Sequence, residues 1–506
     1  MKKIFLALCL VGSLFTTSCD MDKSPIGALD DQTAIQSLND VFRFRNGLYA
    51  NLRGLTNGSY VYVTDMQADQ FQAVMSYGNR NGVIHAGTFT SADGEFEGRW
   101  SSCYSVIASC NYLLAEINKL KEAAKFEGED LVSLNRYEGE TKFVRAYTYY
   151  WLADRFCEQY NSTIADAAGK GLPLVATYNP TGDLSKYPGR STQKETYAFI
   201  EKDLQDAYDE LVAYEKIDSK NIAPDAANLS SYAVLALQAR IALNKGEDAT
   251  AVAKAETVIN SGVYSLTAYA DFVKMWSEDE STEAIFRPIL NNQELSGSIG
   301  GAYLSVKRDD AYYIPSTETL GMYPKGDIRF DAYFDIWKLV IEGSEVQAYV
   351  FNKYPGNESL KTGSEPNYQN MTKPFRLAEL YLIAAEASAK TNPAKANKYL
   401  KELRIARIKD YKQDVDYSGM ALVEEIRLER QRELLGEGFR LTDLRRWNLG
   451  FQRGVKHPEN PAIESILAVN GKGLKYEAGD YRLVWPIPSA EIQTNPQMKG
   501  QQNPGY

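Results

Sequence analysis

Residues 373–447 constrain the fold of this chain more than any other part of the sequence. Between residues 377 and 389, apolar or small residues recur at the spacing of one helix face and form a wide stripe. Asn392 suits the N-cap of a second helix, and Pro393 suits its first position. The alanines of the first helix leave room for close packing. The segment therefore predicts two helices joined by a tight break.

A helix pair of this length is the unit of tetratricopeptide repeats, whose period is about 34 residues. Comparable helical patterns occur at residues 138–156, 190–214, 228–243 and 248–260. Between residues 265 and 371, in contrast, Gly, Asn, Tyr and Trp are frequent and the periodicity is weak. We predict a mainly α fold: a tetratricopeptide-like helix-pair scaffold with a loop-rich insertion that carries short strands. The repeat helices would span about 35–264 and 372–447, and the insertion about 265–371.

The charged helix predicted from Leu422 onward allows two interpretations. Acids and arginines recur at i,i+3 spacing, which stabilises a helix surface, and Gly436 or Gly438 can end the helix. In the first interpretation, four acids of this segment are the catalytic carboxylates of a secreted hydrolase. These acids are Glu429, Glu433, Glu437 and Asp443. We favour the alternative of an ion-pair network that braces packed helices, because such networks commonly resemble functional clusters.

The amino terminus has the features of a secretory signal. Lys2 and Lys3 precede an apolar run, which small residues and Cys19 follow. The run is shorter than the roughly 20 residues that a membrane-spanning helix needs. We predict a signal peptide over residues 1–18, and the placement of Cys19 resembles a lipobox, so we expect lipidation there. A polar, lipidated tether would follow over residues 19–28. A plain secreted protein cleaved near Cys19 is the alternative.

Composition excludes several classes of function. The net charge of −10 argues against nucleic acid as a partner. Only two histidines occur, and the cysteines beyond the leader form no CxxC motif, so we expect free buried thiols and no metal site. Tyrosine is abundant, with 34 residues. Its flat face and hydroxyl suit stacking on a sugar or gripping a peptide, and equally suit core packing.

Several motifs occur in the order of one known family. The run ERQRELLGEGFRLTDLRRW at 429–447, preceded by AELYLIAAEA and followed by YRLVWPIP and the terminal NPGY, resembles the SusD/RagB family. The likeness covers residues 29–506, nearly all of the mature chain. It implies a surface-exposed lipoprotein of the outer membrane without catalytic activity or cofactor. It further implies a SusC/RagA-like TonB-dependent transporter as partner, to which the protein delivers its cargo as a hinged lid.

The resemblance leaves the cargo open. Most of the family handles glycans, which we expect first, while the RagB-like branch handles oligopeptides. A purely structural repeat adaptor without a small ligand is a further alternative. We expect the ligand site to use two loop-rich regions, residues 65–97 and 265–340. The candidate ligand-binding residues are Asp69, Tyr77, Asn79, Arg80, Tyr303, Tyr312, Tyr313 and Trp337. For each aromatic residue, core packing is the competing interpretation.

Overall fold

A computed structural model describes residues 34–222, 226–412, 415–468 and 474–506. The predicted signal peptide, the tether and Cys19 lie outside the described residues. The helices are α1 (Leu38–Leu55), α2 (Ser59–Gln67), α3 (Gly82–Ala86), α4 (Gly94–Glu122), α5 (Gly128–Phe156), α6 (Gln193–Glu215), α7 (Ser231–Lys245), α8 (Asp248–Ile259), α9 (Phe272–Ser277), α10 (Gly300–Tyr303), α11 (Thr317–Gly321), α12 (Ile328–Tyr333), α13 (Leu377–Ser388), α14 (Pro393–Arg407), α15 (Gly419–Glu433), α16 (Arg440–Arg446) and α17 (Ser489–Thr494). Within the described ranges, no helix is long and apolar enough to cross a membrane.

The helical scaffold consists of helices packed in consecutive pairs, as predicted. Helix α5 packs against α6, α7 against α8, and α13 against α14, while α13 also packs against α8 and so joins the two blocks of repeats. Local signals fix the ends. Thr192 and Glu195 form a reciprocal capping box at the start of α6, and Asn392 accepts a hydrogen bond of 3.1 Å from the Lys395 amide at the start of α14. Gly246, at φ 77°, ends α7.

The strands are short and pair only in twos within the described ranges. The antiparallel pairs are β1 (Phe71–Ala73) with β3 (Tyr313–Pro315), β2 (Ala284–Phe286) with β6 (Phe375–Arg376), β4 (Phe334–Ile341) with β5 (Ser344–Phe351), and β7 (Phe451–Gln452) with β8 (Lys475–Tyr476). The β4–β5 hairpin turns at Glu342 and Gly343, both at positive φ, as two-residue hairpin loops require. Its alternating inward residues join a second hydrophobic core, built mainly from the insertion.

Two local predictions were wrong. The sequence predicts a loop or short strand over residues 60–75. The structure instead places α2 there, followed by β1, and burial of Val63 and Met66 outweighs the strand propensity. The sequence also predicts a short strand over residues 481–485. They begin with a 3₁₀ turn, and Trp485 is then buried, its backbone N–H donating to the Arg155 carbonyl at 2.8 Å.

The acids of α15 belong to a buried ion-pair network, which confirms the second interpretation of that helix. The Glu433 carboxylate is fully buried and accepts from Arg329 at 2.9 Å, from Arg376 at 2.6 Å and from Arg407 at 3.1 Å. These arginines hold the pKa of Glu433 well below its usual range, against the opposing effect of burial. The network ties α15 to α12, β6 and α14, and so joins the insertion to the scaffold.

Candidate ligand-binding site

The loop between β1 and α3 presents polar side chains to solvent through an unusual backbone. Gly78, Asn79 and Asn81 all have positive φ, between 51° and 62°. Glycine and asparagine adopt this left-handed conformation at the lowest cost, which explains why these residue types occur here. The Tyr77 hydroxyl donates to the Asn79 side-chain oxygen at 2.9 Å and fixes its position. As a result, Asn79 and Arg80 are both exposed.

A second loop, between α10 and β3, lies against the first. The Val74 N–H donates to the Tyr312 carbonyl at 3.1 Å, and the Ser76 hydroxyl donates to the Ala311 carbonyl at 2.8 Å. The Arg80 guanidinium lies 3.9 Å from the centre of the Tyr312 ring, in a cation–π contact. Tyr312 is half-buried, so this contact lies at the surface. The structure therefore brings the predicted residues Tyr77, Asn79, Arg80 and Tyr312 together.

A small cleft lies beside these loops, between the β4–β5 hairpin and residues 352–368. Its volume is about 90 Å³. The Trp337 indole N–H donates to the Asp335 carboxylate at 2.9 Å and forms part of one wall. Exposed Arg308 and half-buried Asn352 line the same cleft. Donors and acceptors thus surround an aromatic edge, a combination that suits recognition of sugar hydroxyls.

Tyr368 connects the cleft to the Arg80–Tyr312 contact. Its hydroxyl donates to the Ser305 carbonyl at 2.6 Å and anchors the loop that carries Arg308. Burial raises the pKa of Tyr368 to about 12, while nearby Arg308 lowers it and nearby Tyr312 raises it further. Both neighbours therefore lie within electrostatic reach of this one hydroxyl. We call the surface formed by residues 77–80, 305–312, 335–337 and 352–368 the loop face.

The prediction of an exposed aromatic platform needs correction for four rings. Tyr303 and Tyr313 are fully buried, and Tyr77 and Trp337 are each only 7% exposed. Tyr303 packs on Phe71 with 4.7 Å between ring centres, and the Tyr313 hydroxyl donates to the Arg80 carbonyl. Hydrophobic packing outweighs exposure at these positions because the insertion builds its own core around them. Tyr303 and Tyr313 therefore support the loop face from below and present no surface to a ligand in this conformation.

Asp69 does not join the loop face. Its carboxylate accepts two hydrogen bonds from Arg440 of α16, at 2.8 and 2.6 Å. Although burial opposes the shift, Arg440 lowers the pKa of Asp69. A bidentate arginine pair of this kind leaves little free capacity for a ligand. The expectation that Asp69 contacts the ligand is therefore replaced by a structural role, which links the start of β1 to α16.

Sequence reasoning missed Arg308, Asp335, Asn352 and Tyr368. All four residues lie in the predicted insertion, and neither periodicity nor spacing in the sequence distinguishes them from their neighbours. Only the pairing of β4 with β5 places Asp335 opposite Val350, two residues before Asn352. The expectation about the cysteines is confirmed, since Cys103, Cys110 and Cys157 are buried free thiols.

Two family models match the chain. The model described as the SusD family matches residues 339–506. The model described as starch-binding, associating with the outer membrane, matches residues 21–243. The two matches fall on different halves of the chain, and together they include most of it. A comparison with curated protein sequences gives no match.

Solved structures with the same fold cover nearly the whole chain. A SusD superfamily protein from Bacteroides thetaiotaomicron is 27% identical, with a TM-score of 0.76, over 93% of this chain and 100% of its own. A putative sugar binding protein from Bacteroides vulgatus is 26% identical, with a TM-score of 0.76, over 94% of this chain and 100% of its own. A laminarin binding SusD-like protein is 22% identical, with a TM-score of 0.66, over 92% of this chain and 99% of its own.

Proposed function

We propose, because the chain belongs to the SusD/RagB family, that it captures oligosaccharides at the outer-membrane surface and delivers them to a transporter. Proteins of this family bind their cargo without catalysing a reaction. The observation that carries the proposal is the loop face, where exposed Arg80 lies on Tyr312 beside a polar cleft that contains the Trp337 edge.

The chemistry of the loop face favours a saccharide. A sugar ring offers an apolar face that packs on an aromatic ring, and hydroxyls that need both donors and acceptors. Tyr312 supplies such a ring, Arg80 and Arg308 supply donors, and Asp335 supplies an acceptor. The match to a starch-binding family model and the similarity to a laminarin binding protein point in the same direction.

The remaining parts of the proposal follow from family membership. We propose that Cys19 carries the lipid anchor, and that the protein sits on the cell surface over a SusC/RagA-like TonB-dependent transporter. The cargo would pass from the loop face into the transporter when the protein closes as a lid. An oligopeptide cargo, handled in the RagB-like manner, is the alternative that the experiment below distinguishes.

Isothermal titration of the full-length protein tests the cargo. The titrants are laminarin, starch and other plant and host oligosaccharides, and a mixed oligopeptide digest. We expect heat of binding with at least one saccharide and none with the digest. Heat with peptides alone would move the protein to the RagB-like branch, and binding to neither class would contradict a role in nutrient capture.

Two surface variants test the placement of the site. Tyr312→Ala and Arg308→Ala should each weaken saccharide binding about tenfold or more, since each removes a ring or a charged donor. The matched controls are Tyr178→Ala and Arg43→Ala, which remove exposed side chains of the same types from outside the loop face. If the controls weaken binding as much as the site variants, the ligand does not bind at the loop face.

A further inference from the structure

A cavity of about 70 Å³ lies where the helical scaffold meets the insertion, and Tyr354 of the segment 352–368 forms part of its lining. Residues of α5, α7, α13, α15 and α16 line it, and many of them are charged. The acids are Asp154, Glu379, Glu437 and Asp443, and the bases are Arg155, Arg240, Lys373 and Arg430. Ion clusters of this density are stable only when their charges balance, so the partner of each group decides what the cavity can hold.

Most of the lining charges have a dedicated partner. Glu379 accepts two hydrogen bonds from Arg240, at 2.6 and 2.7 Å. Asp443 pairs with Arg430 at 3.1 Å and with Arg446 at 2.8 Å, and these two arginines share Glu386 as a second acid. The two remaining lining charges pair outside the cavity, Glu437 with Arg376 and Lys353, and Lys373 with Asp279. Arg376 also pairs with Glu283 and Glu433, so each of these bases has at least one acid within ion-pair distance.

Asp154 is the exception, because two arginines share its single carboxylate. Arg155 donates to it at 2.7 Å and Arg445 at 3.0 Å, while Thr442 donates a neutral hydrogen bond at 2.8 Å. All three charged side chains are buried, with exposures of 7–9%. The described residues supply no second acid within ion-pair distance of Arg155 or Arg445. One positive charge is therefore left over at this end of the cavity.

The same cluster holds guanidinium N–H groups without an acceptor. Within the described parts of the chain, Arg155 Nε, Arg445 Nε and Arg430 Nη1 are buried and have no hydrogen-bond partner. Arg155 and Arg430 both line the cavity. A buried N–H without an acceptor is destabilising, and an unbalanced buried charge is more so. Water could satisfy the N–H groups, but only an anion also neutralises the charge.

We propose that this cavity binds one small monovalent anion, either a halide or a carboxylate the size of formate or acetate. Arg155 and Arg430 would donate to it, and the excess charge near Asp154 would provide the attraction. The volume admits an ion or a molecule of a few heavy atoms. The site lies between helices of the two repeat blocks, so the bound anion stabilises their junction.

Diffraction from crystals of the full-length protein grown in bromide tests the halide source directly. We expect an anomalous peak in the cavity, within hydrogen-bond distance of Arg430 Nη1. A parallel crystal grown in formate without halide tests the carboxylate source, where we expect planar density at the same position. If water alone occupies the cavity in both crystals, the proposal is wrong.

Thermal unfolding in solution tests the same site by a second route. At constant ionic strength, replacing bulky gluconate by chloride should raise the midpoint in a saturable manner, by about 1–3 °C. Arg155→Gln should lose this response, while the exposed control Arg43→Gln should keep it. An equal response in both variants would show a general salt effect and contradict the proposal.

If Arg155→Gln does not fold, the bromide crystal of the unaltered protein still decides. Saccharide binding at the loop face is a separate readout, so either proposal can fail alone.

Discussion

In the helical scaffold, the Glu433 carboxylate is buried and paired, whereas Arg80 and Arg308 on the loop face are exposed to solvent. Glu433 contacts three arginines at full burial. Arg80 and Arg308 on the loop face form no ion pair with any described residue. The charges of the first region hold helices together, and those of the second are free to meet a ligand. In this comparison the buried, paired charges hold elements of the fold together, and exposed Arg80 beside the Tyr312 ring is the proposed ligand contact.

The strongest test of this contrast removes the centre of the buried network. Glu433→Ala removes a buried carboxylate that compensates the charges of Arg329, Arg376 and Arg407. We therefore expect a loss of about 3–5 kcal/mol in the free energy of unfolding, or failure to fold. Urea unfolding measures it. The matched control is Glu425→Ala, whose partly exposed carboxylate pairs with Arg404 and should contribute about 1 kcal/mol or less. Equal losses in the two variants would remove the distinction between the buried network and surface pairs.

A buried acid without an arginine partner should behave in the opposite way. Asp65 of α2 is fully buried, and one oxygen accepts from the Gly438 N–H at 2.8 Å while the other has no partner among the described residues. Burial raises the pKa of Asp65 from 3.8 to about 7. Between these two pKa values the folded state binds more protons than the unfolded state. The contribution of Asp65 to the free energy of unfolding therefore falls as the pH rises through this range.

Asp65→Asn should therefore stabilise the protein at pH 8 and have little effect at or below the unfolded pKa. The difference in pKa corresponds to about 4 kcal/mol at most. Thermal unfolding of both proteins across this pH range measures the effect. The control is Asp69→Asn, four residues along the chain, where the Arg440 pair predicts destabilisation at neutral pH. A stability difference between Asp65→Asn and the unaltered protein that does not change with pH would contradict this account.

The scaffold was predictable from sequence to a greater extent than the loop face, and the reason is the range of the interactions. Asn392 caps α14 through a residue three positions away, and Thr192 does the same for α6, so both signals can be seen in a short window. The tyrosines of the insertion gave no such signal. Tyr303 is buried by Phe71 and Phe351, which lie far from it in the sequence, so its packing could not be inferred.

Long-range pairs also explain why Asp69 was assigned to the ligand. Its partner Arg440 lies 371 residues further along the chain, and nothing in the sequence around Asp69 indicates that contact. Arg80 and Tyr312 were both proposed, but their contact could not be, because it depends on how two loops meet across β1 and β3. The sequence therefore indicated about half of the side chains that form the loop face, and their role in ligand binding stays a prediction.

Removing a helix cap should have a smaller effect than either buried acid. Asn392→Ala takes away the acceptor for the Lys395 N–H, and such caps contribute about 1 kcal/mol. Urea unfolding should show a loss of this size. Lys390→Ala, an exposed substitution just before the turn, is the control and should leave the midpoint unchanged. A loss no larger than that of the control would mean that packing of α13 and α14 fixes the turn without the cap.

The smallest effect on stability is expected on the loop face itself. A double-mutant cycle of Arg80→Ala and Tyr312→Ala isolates the contact between the two side chains, and an exposed cation–π pair contributes about 0.5–1 kcal/mol. The cycle should therefore give a coupling energy near the lower end of that range in urea unfolding. The same two substitutions should weaken saccharide binding more strongly than they weaken the fold, since a ligand would desolvate the contact. A coupling energy well above the range would show that Arg80 and Tyr312 serve the fold, and the division between paired scaffold charges and free loop-face charges would then fail at its most exposed point.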